Sequence, residues 1–582
     1  MNVSPERLYQ TLTAHREAPL LPELAALSLA DLRRTPAGEQ ALAWAADHAN
    51  EVPQTTYTLY REYLHTGARG GYQQVCFGKR ELLRKLAMAV WLGEDSRKLD
   101  LLCDVIWSIC EETTWVLPAH EVFVWNVDLT AAETASDLAL VVHVLDERLP
   151  LEIRNRVQTE VRKRIFDNYM EHAGLFGYET QPTNWTGVCM GSIGEAALVL
   201  ESDPRRQAAI LAKVIEQLQN YLENGFAEDG ACTEGVGYWN YGLLHFVACA
   251  EMLRSRADGA IDLLDHPKLK SIARFPLAMW LGGQNYATFS DAGAVKLLPH
   301  VTTRIAQRTD TPELIALAQP SPGSRFVVAL LDLLWPMPPE PDLPDLSGPA
   351  YYAAAGIARC VSRLDGLPII LIGKAGHNAE PHNHNDVGSF VLHIGDTTYL
   401  CDPGAGRYTR DYFLPETRYD NLFCGSQGHS VPVADGLRQA PGPECRGAMT
   451  DVAEDHFTLR FEQAYPDDAH LARLERTMSL QPDGRVELRD VARFDGGSGG
   501  FREVFMTWRD VRTDGSKLHI LGPEGQLCLD TGSGRVEVED LRDACEANGR
   551  SETLMRVTVD YPPATEHIVK TTIAFTPKGN SA

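Results

Sequence analysis

The sequence predicts a chain of two unlike parts, an all-α N-terminal domain and a C-terminal domain of antiparallel β-sheets. Amphipathic stretches such as 151–172 and 205–225 repeat apolar residues at helical spacing up to about residue 335. Beyond residue 350 the chain changes to short alternating or β-branched runs between turn residues, which suits antiparallel sheets packed face to face. The proline-rich segment 336–349 separates the two patterns, because clustered prolines forbid helix continuation. We therefore expect a helical domain 1–335, a linker, and a sheet domain 350–582.

Length and composition are those of an ordinary multidomain globular protein. A chain of 582 residues is too long for one core and favours two or three packed units. Its 44% hydrophobic and 23% charged residues are close to globular averages. The 12 cysteines include no CxxC pair, so we expect buried free thiols rather than a zinc ribbon or a dithiol redox centre.

The charge excludes one large class of partner. A formal net charge of −25 repels polyanions at long range and argues against nucleic-acid binding. Binding of any other acidic polymer would therefore require a local cluster of Arg, Lys and amide donors on the protein. The N-terminus lacks the basic-then-apolar run of a secretory signal, and no apolar stretch reaches the roughly 20 residues of a membrane span. We expect a cytoplasmic protein without membrane partners, or a secreted or periplasmic one if a leader has been removed.

The densest polar cluster is 376–396, GHNAEPHNHNDVGSFVLHIGD, which runs from a loop into a strand. Four histidines with several amides and acids are hard to explain by packing. His382 and His384 are two positions apart, so in an extended segment their side chains share a face, while Asn383 points to the other face.

Residues downstream of this cluster suggest a metal site. Asp402 ends the apolar strand TTYLCD, and His429 lies in the loop GSQGHSV. Two imidazoles and one carboxylate are ligand types that zinc accepts, so His384, Asp402 and His429 are the candidate ligands. Surface histidines and a turn aspartate are the alternative explanation.

Further clusters lie in the helical part. Asn184 and Trp185 precede a Gly-rich entry into an apolar helix, where a helix cap is an alternative role for Asn184. Tyr238 and Tyr241 follow a turn-rich stretch at helical spacing, although an aromatic helix face is usually core. The segment 113–129 contains Trp115, His120 and Trp125, which suit sugar stacking and core packing equally.

Taken together, these clusters resemble the heparinase II/III-like polysaccharide lyases, a family of heparin, heparan, chondroitin, hyaluronan and alginate lyases. The shared order is NW at 184–185, then DG and EGxxYxxY within 229–241, then HNHNDVGSF at 382–390 with a following DPG. HNHNDVGSF is the most specific of these elements. The resemblance covers most of the chain, from about residue 115 to at least His429.

The resemblance implies a fold and a set of roles. The fold is an incomplete (α/α) toroid followed by antiparallel, sandwich-like β-sheets, with the cleft where the two domains meet. Asn184 is expected to bind the uronate carboxylate, while Tyr238 and His382 transfer protons. The three candidate ligands are expected to hold one divalent metal, zinc or alternatively manganese, in a structural role.

The implied reaction is β-elimination of an acidic polysaccharide or oligosaccharide. The enzyme removes the proton at C5, next to a carboxylate, and expels the C4 oxygen; a donor such as Asn184 stabilises the developing enolate as an oxyanion hole would. Some family members have a histidine after the asparagine, where this chain has Trp185, so the base is either His382 or Tyr238 itself. Tyr238 is the expected acid, and Tyr241 is the alternative candidate for this role. The further expected substrate contacts are Gln181, Trp185, Tyr241, Trp125, His120, Tyr412, Tyr419 and Asn383.

Several alternatives stay open at this point. Tyr412 and Tyr419 are equally explained as loop aromatics packed on the sheet. Glycosaminoglycans are the expected substrates, but an alginate or oligoalginate lyase has the same fold. An inactive carbohydrate-binding homologue and a hydrolase that activates water at the metal are the other candidates. Monomer and homodimer are both compatible with the sequence.

Overall fold

The structure is a computed structural model that describes residues 3–47, 51–93, 96–123, 125–319, 325–338 and 348–578. Most of the expected linker 336–349 therefore lies outside the described residues. The chain divides into two units. The helical unit comprises Met1–Phe226, Trp239–Ala273 and Lys296–Leu343, and the sheet unit comprises Ala227–Tyr238, Arg274–Val295 and Pro344–Ala582.

Helices dominate the N-terminal part, as the apolar periodicity predicts. The described α-helices are α1 Pro5–Ala14, α2 Glu23–Ala26, α3 Leu29–Leu32, α4 Pro36–Asp47, α5 Tyr57–Thr66, α6 Gly70–Trp91, α7 Ser96–Cys110, α8 Leu129–Leu145, α9 Leu151–Val161, α10 Asn168–His172, α11 Gly177–Thr180, α12 Asn184–Leu200, α13 Pro204–Asn224, α14 Val236–Arg256, α15 Leu269–Met279, α16 Pro299–Thr309, α17 Phe326–Leu334, α18 Arg410–Phe413 and α19 Arg542–Ala547. A π-helical turn at Arg162–Asp167 connects α9 to α10. Among the described residues, none of these helices is both long and apolar enough to cross a bilayer.

The glycines of α12 have a packing reason. A Cβ on Gly187 would come within 2.2 Å of the Gly242 carbonyl oxygen in α14, and one on Gly191 within 2.4 Å of the His245 backbone. Only a residue without a side chain allows the two helices to approach so closely. The Gly-rich start of α12 is therefore a helix-contact surface, and almost all of α12 is buried.

Antiparallel pairing builds the sheet unit. Its described strands are β1 Trp280–Gly282, β2 Asn285–Tyr286, β3 Ala350–Tyr352, β4 Ile357–Leu364, β5 Leu367–Lys374, β6 Gly376–Asn378, β7 Phe390–Ile394, β8 Thr397–Leu400, β9 Val433–Ala434, β10 Gly442–Val452, β11 His456–Arg460, β12 Leu471–Leu480, β13 Val486–Phe494, β14 Gly499–Thr507, β15 Val511–Asp514, β16 Lys517–Leu521, β17 Gly525–Asp530, β18 Arg535–Asp540, β19 Met555–Ala564 and β20 Glu566–Pro577. They form sheets in the orders β15-β16-β17-β20-β13-β12-β11-β10-β6, β18-β19-β14-β9, β3-β4-β5-β7-β8 and β1-β2.

Inward-facing residues of several strands form the core of the sheet unit. Phe390 and Leu392 of β7, Phe457 of β11 and Phe505 of β14 belong to one buried apolar cluster. Strand β7 is buried along its whole length, and Val504 and Met506, the neighbours of Phe505, belong to a second buried cluster. The core thereby fixes the ends of β6, β7 and β8, which carry the His-rich loop and Asp402.

The helical-then-sheet prediction is confirmed, whereas the toroid stays a prediction. The division into units also differs from the single domain boundary that the sequence predicts at 336–349. Segments 227–238 and 274–295, which the sequence assigns to the helical domain, belong to the sheet unit. Only tertiary packing distinguishes them, because local periodicity carries no information about partners. The 12 cysteines are all free and mostly buried, as expected.

Candidate active site and metal centre

The loop between β6 and β7 presents His382 in an unusual backbone conformation. His382 has a φ of +57°, which non-glycine residues rarely adopt. The backbone N–H of Asp291 donates to the His382 carbonyl oxygen over 3.3 Å. Ser290, next to Asp291, also has a positive φ of +63°. Such strained residues cluster at functional sites, where surrounding contacts hold them.

Asp291 joins the two imidazoles of the motif. Its Oδ2 lies 2.8 Å from Nδ1 of His382, and its Oδ1 lies 2.9 Å from Nε2 of His384. Asp291 and His384 are fully buried at their side chains, whereas the His382 side chain is 19% exposed. One carboxylate therefore orients both rings, and His382 is the ring that solvent reaches.

Further donors surround the same carboxylate. Tyr408 donates its hydroxyl proton to Oδ2 over 3.1 Å, and Tyr412 donates to Oδ1. Arg418 places Nη2 at 3.4 Å from Oδ2. Burial alone would raise the pKa of Asp291, but the hydrogen bonds from His382 and His384 and the charge of Arg418 outweigh it and hold that pKa far below its usual range.

Tyr238 lies directly against the exposed imidazole. Its ring stacks on His382 with centroids 4.5 Å apart and planes 18° from parallel. Its hydroxyl is hydrogen bonded to the hydroxyl of Tyr408. Burial and the negative charge of Asp291 raise the pKa of Tyr238 well above its usual value, so this phenol is neutral at physiological pH.

The three candidate metal ligands meet in the sheet unit. Their ligand atoms lie within 4.8 Å of one another, and His384, Asp402 and His429 are all buried. Nδ1 of His429 is 2.9 Å from Oδ2 of Asp402, while its Nε2 is 3.1 Å from the Phe423 carbonyl oxygen.

The chemistry of this donor set fits a divalent metal. Nδ1 of His384 is buried and makes no hydrogen bond within the described part of the chain. A buried orphan nitrogen is rare unless it has a partner outside the protein, and an imidazole whose other nitrogen faces a carboxylate is the usual form of a metal-bound histidine. The residues present therefore fit zinc or manganese, with Asp291 behind His384 as its supporting carboxylate.

In the helical unit, Asn184 does not cap its own helix. The cap of α12 is Thr183, whose hydroxyl accepts from the Trp185 N–H over 3.3 Å. Asn184 is the first residue of the helix and is 2% exposed. The capping role therefore belongs to Thr183.

His120 and Trp185 contact each other in the helical unit. Their rings meet edge to face with centroids 4.9 Å apart. Nδ1 of His120 is 2.9 Å from Oδ2 of Asp128, whose other oxygen accepts from Ala131 at the start of α8. The substrate-binding role of both residues stays a prediction.

The geometry around Trp125 differs from a free stacking platform. Phe123 covers one face of the indole at 4.8 Å, and His172 stacks on it at 4.3 Å. Trp125 itself is half-buried, and its substrate-binding role stays a prediction. Phe123, 53% exposed, is the most exposed ring of this stack.

Two other expected contacts in the helical unit have different surroundings. Gln181 is exposed and is the C-cap residue of α11. Tyr241 accepts a hydrogen bond from Nη2 of Arg325 over 3.2 Å, and the guanidinium lies over its ring. Tyr241 therefore has a structural partner of its own, unlike Tyr238, which faces His382.

On the sheet side, the expected sugar contacts are committed to internal partners. Tyr412 is 2% exposed and donates to Asp291, so its hydroxyl is engaged inside the protein, and its role as a sugar contact stays a prediction. Asn383 is buried, and its side-chain oxygen accepts from the hydroxyl of Tyr419 over 2.9 Å. Only Tyr419, which is half-buried, keeps accessible surface.

Sequence reasoning missed three residues of this cluster, namely Asp291, Tyr408 and Arg418. Asp291 occurs in TFSDAGAV, which has the composition of a turn, and Tyr408 occurs in GAGRYT. No spacing signal marks them, because their partners lie far away along the chain. The DPG that starts at Asp402 and leads into GRYT is the one local hint.

The comparisons with known proteins agree with the resemblance at the level of fold. No family model matches the chain, and no curated protein matches its sequence. The chain shares its fold with solved structures of heparinase III, heparan sulfate lyase HepC and chondroitin AC lyase.

Three solved structures represent this fold. Heparinase III has a TM-score of 0.69 at 14% identity, with 99% of this chain and 90% of that chain covered. Heparan sulfate lyase HepC from Pedobacter heparinus gives 0.59 at 12% identity, covering 99% and 89%. Chondroitin AC lyase from Streptomyces coelicolor A3, in complex with chondroitin sulphate, gives 0.54 at 14% identity, covering 93% and 80%. At such identities the likeness concerns the fold, and the reaction has to be argued from the site.

Proposed function

We propose that the protein is a polysaccharide lyase that cleaves a uronic-acid-containing polysaccharide or oligosaccharide by β-elimination. Glycosaminoglycans such as heparan, chondroitin or hyaluronan are the first choice of substrate. The observation that carries the proposal is the stacked pair of Tyr238 and His382 in the sheet unit, a candidate acid and a candidate base whose ring centroids are 4.5 Å apart. The fold shared with heparinase III, HepC and chondroitin AC lyase supports the same substrate class.

His382 is the proposed base. Its Nδ1 faces an ionised carboxylate and therefore carries the proton, which leaves Nε2 with a lone pair. This lone pair is the proposed acceptor of the C5 proton.

Tyr238 is the proposed acid. Its raised pKa keeps the proton on the phenol, which disfavours a phenolate base and suits donation to the leaving C4 oxygen. In the resting arrangement Tyr408 donates a hydrogen bond to Asp291 and accepts one from Tyr238. Donation to the leaving oxygen therefore requires only that the Tyr238 hydroxyl rotate about its C–O bond. After both transfers, an imidazolium faces a phenolate, and their attraction across a few ångströms offsets part of the cost of forming either charge.

Neutralisation of the substrate carboxylate is assigned to Asn184. This assignment rests on the family motif, and the buried carboxamide at the start of α12 is compatible with it. A well-aimed donor to a developing enolate is worth about 3 kcal/mol.

His384, Asp402 and His429 are proposed to hold one zinc or manganese ion in a structural role. When bound, the metal would cross-link the His-rich loop to the loops that carry Asp402 and His429, and it would supply no chemistry to the substrate. Elemental analysis of purified protein should find about one divalent ion per chain, and none in His384→Ala with His429→Ala.

One absorbance experiment distinguishes this proposal from its alternatives. Elimination leaves an unsaturated uronate that absorbs in the ultraviolet, so incubation with heparan, chondroitin, hyaluronan and alginate should raise the absorbance for at least one polymer. A rise with alginate alone would assign the alginate lyase. New reducing ends without absorbance would identify a hydrolase, and polymer binding without any product would identify an inactive carbohydrate-binding homologue.

A further inference from the structure

One carboxylate contacts both imidazoles of the HNH segment through its two different oxygens. Oδ2 of Asp291 faces Nδ1 of His382, whereas Oδ1 faces Nε2 of His384. The two rings thus meet Asp291 with opposite nitrogens, although they are only two residues apart. This asymmetry has consequences for the protons of both rings.

Two tyrosine hydroxyls and one guanidinium around Asp291 act as donors to its carboxylate. A guanidinium has no acceptor, and Arg418 lies 3.4 Å from Oδ2. Each phenol has one proton, and those of Tyr408 and Tyr412 point to this carboxylate. An ionised carboxylate accepts hydrogen bonds only, so the facing nitrogen of each imidazole must carry a proton.

The two tautomers that follow are complementary. His382 carries its proton on Nδ1, so Nε2, which lies 3.7 Å from Oε2 of Glu234, is the nitrogen that the proposed reaction uses. His384 carries its proton on Nε2 and keeps the Nδ1 lone pair, which is the buried nitrogen without a hydrogen bond beside Asp402 and His429. A single side chain thereby prepares one ring for proton transfer and the other for metal binding.

Backbone contacts strengthen the arrangement. The Asp291 N–H holds the carbonyl oxygen of His382 in its positive-φ conformation, so the two residues are joined by main chain and side chain. Arg418 in turn donates to the carbonyl oxygen of Asn383 over 2.8 Å, which fixes the residue between the two histidines.

We infer that Asp291 is a positioning residue that sets the tautomers of His382 and His384 at once and so couples the metal centre to the proton-transfer pair. The role for His382 rests on the proposed function, whereas the role for His384 does not. The sequence around Asp291 contains no pattern that predicts this role.

Nitrogen-15 NMR of histidine-labelled protein measures the tautomers directly. The expected result for the wild type is a protonated Nδ1 at His382 and a protonated Nε2 at His384, with signals assigned from His382→Gln and His384→Gln. Identical tautomers in the two rings, or a deprotonated Nε2 at His384, would overturn the inference without any variant of Asp291.

The variant Asp291→Asn tests the coupling. Asparagine keeps the shape but offers one acceptor oxygen, so at least one ring should lose its single tautomer. We expect weaker zinc binding, by about 10–100-fold in Kd, and a fall of similar size in kcat with little change in KM. The control is Asp396→Asn, an exposed aspartate of the same unit, which should retain wild-type values.

Zinc titration and NMR require no substrate, so they separate this inference from the proposed function. Unchanged zinc affinity and unchanged tautomers in Asp291→Asn would refute the positioning role even if the protein is a lyase. Altered tautomers and weakened zinc binding would support it even if no uronate polymer is cleaved, in which case only the proposed function fails.

Discussion

At the scale of single residues, the candidate site depends on contacts between positions far apart in the chain. Asp291 reaches His382, His384 and Tyr412 across 91, 93 and 121 positions. The histidines were predictable because they form one local motif. Asp291 was not, since the same TFSDAG segment without these partners is an ordinary turn.

Replacement of the proposed acid tests the role of Tyr238. Tyr238→Phe keeps the stacked ring but removes the proton donor, so we expect kcat to fall by about 10²–10⁴-fold. Steady-state kinetics on the best uronate polymer measures this, with circular dichroism to verify folding.

The matched control lies one helical turn further along α14. Tyr241→Phe removes a hydroxyl that accepts from Arg325 and should leave kcat within a few-fold of the wild type. The opposite pattern, a large loss in Tyr241→Phe and a small one in Tyr238→Phe, would exchange the two assignments.

His245 makes stability depend on pH. It is fully buried, with Nδ1 at 3.0 Å from Glu195 and Nε2 at 3.5 Å from Glu133. Burial alone would lower the pKa of His245, but the charge of Glu195 and the contacts with both carboxylates raise it to about 9. Because the folded-state pKa exceeds the unfolded one, the stabilisation is complete below about pH 6.5 and is lost as pH rises to about 9, by on the order of 3 kcal/mol.

Thermal unfolding between pH 6.5 and 9 checks this dependence. The wild type should lose stability across the interval, and His245→Gln should be less stable but flatter. His393→Gln is the control: burial lowers the pKa of His393 to about 4, so this variant should retain the wild-type slope. Equal slopes for the wild type and His245→Gln would contradict the assignment.

At the scale of elements, packing explains features that sequence patterns leave ambiguous. The sequence shows only a Gly-rich entry into α12, whereas in the structure these glycines form the contact with α14. The sequence suggests Trp125 as a ring on which a sugar could stack, whereas in the structure Phe123 and His172 stack on that ring. Both outcomes depend on a neighbour that the local pattern does not specify.

Strand β12 contributes a buried charge that supports the metal loops. Arg476 is fully buried, binds Asp490 and Glu503, and donates to the carbonyl oxygens of Gly388 and Ser430 over 2.9 and 2.8 Å. Gly388 ends the HNHNDVG segment, and Ser430 follows His429. One guanidinium thereby fixes both loops of the proposed metal centre.

Removal of this guanidinium should destabilise the sheet unit. Arg476→Met leaves two buried carboxylates without their cation, and we expect the free energy of unfolding to fall by about 3–5 kcal/mol, measured by denaturant titration. Arg473→Met on the same strand removes an exposed ion pair with Glu475 and should change little. Similar losses in both variants would show that burial of Arg476 is not the cause.

At the scale of the whole molecule, periodicity predicted the order of helical and sheet parts. It did not predict that 227–238 and 274–295 belong to the sheet unit. These segments carry Tyr238 and Asp291, so residues that complete the site are also residues whose unit the sequence assigned differently. Helical spacing identifies an element, but the partner of that element depends on side chains elsewhere.

The net charge of −25 predicts a preference among polymers. Long-range repulsion opposes the approach of a polyanion and weakens as salt shortens the Debye length to about 8 Å at 0.15 M. At low salt we therefore expect a lower kcat/KM for a highly sulfated polymer than for an unsulfated uronate polymer. Added salt should narrow the gap, and a gap that widens with salt would show that local cations, not total charge, govern association.

The central claim is that Tyr238 and His382 cleave a glycosidic bond by elimination. Mass spectrometry of the products from a defined uronate oligosaccharide tests it most directly. The account predicts two products whose masses sum to that of the substrate, one of them absorbing in the ultraviolet, and at least about 100-fold slower product formation by Tyr238→Phe. Products whose masses sum to the substrate plus one water would contradict it and make the protein a hydrolase.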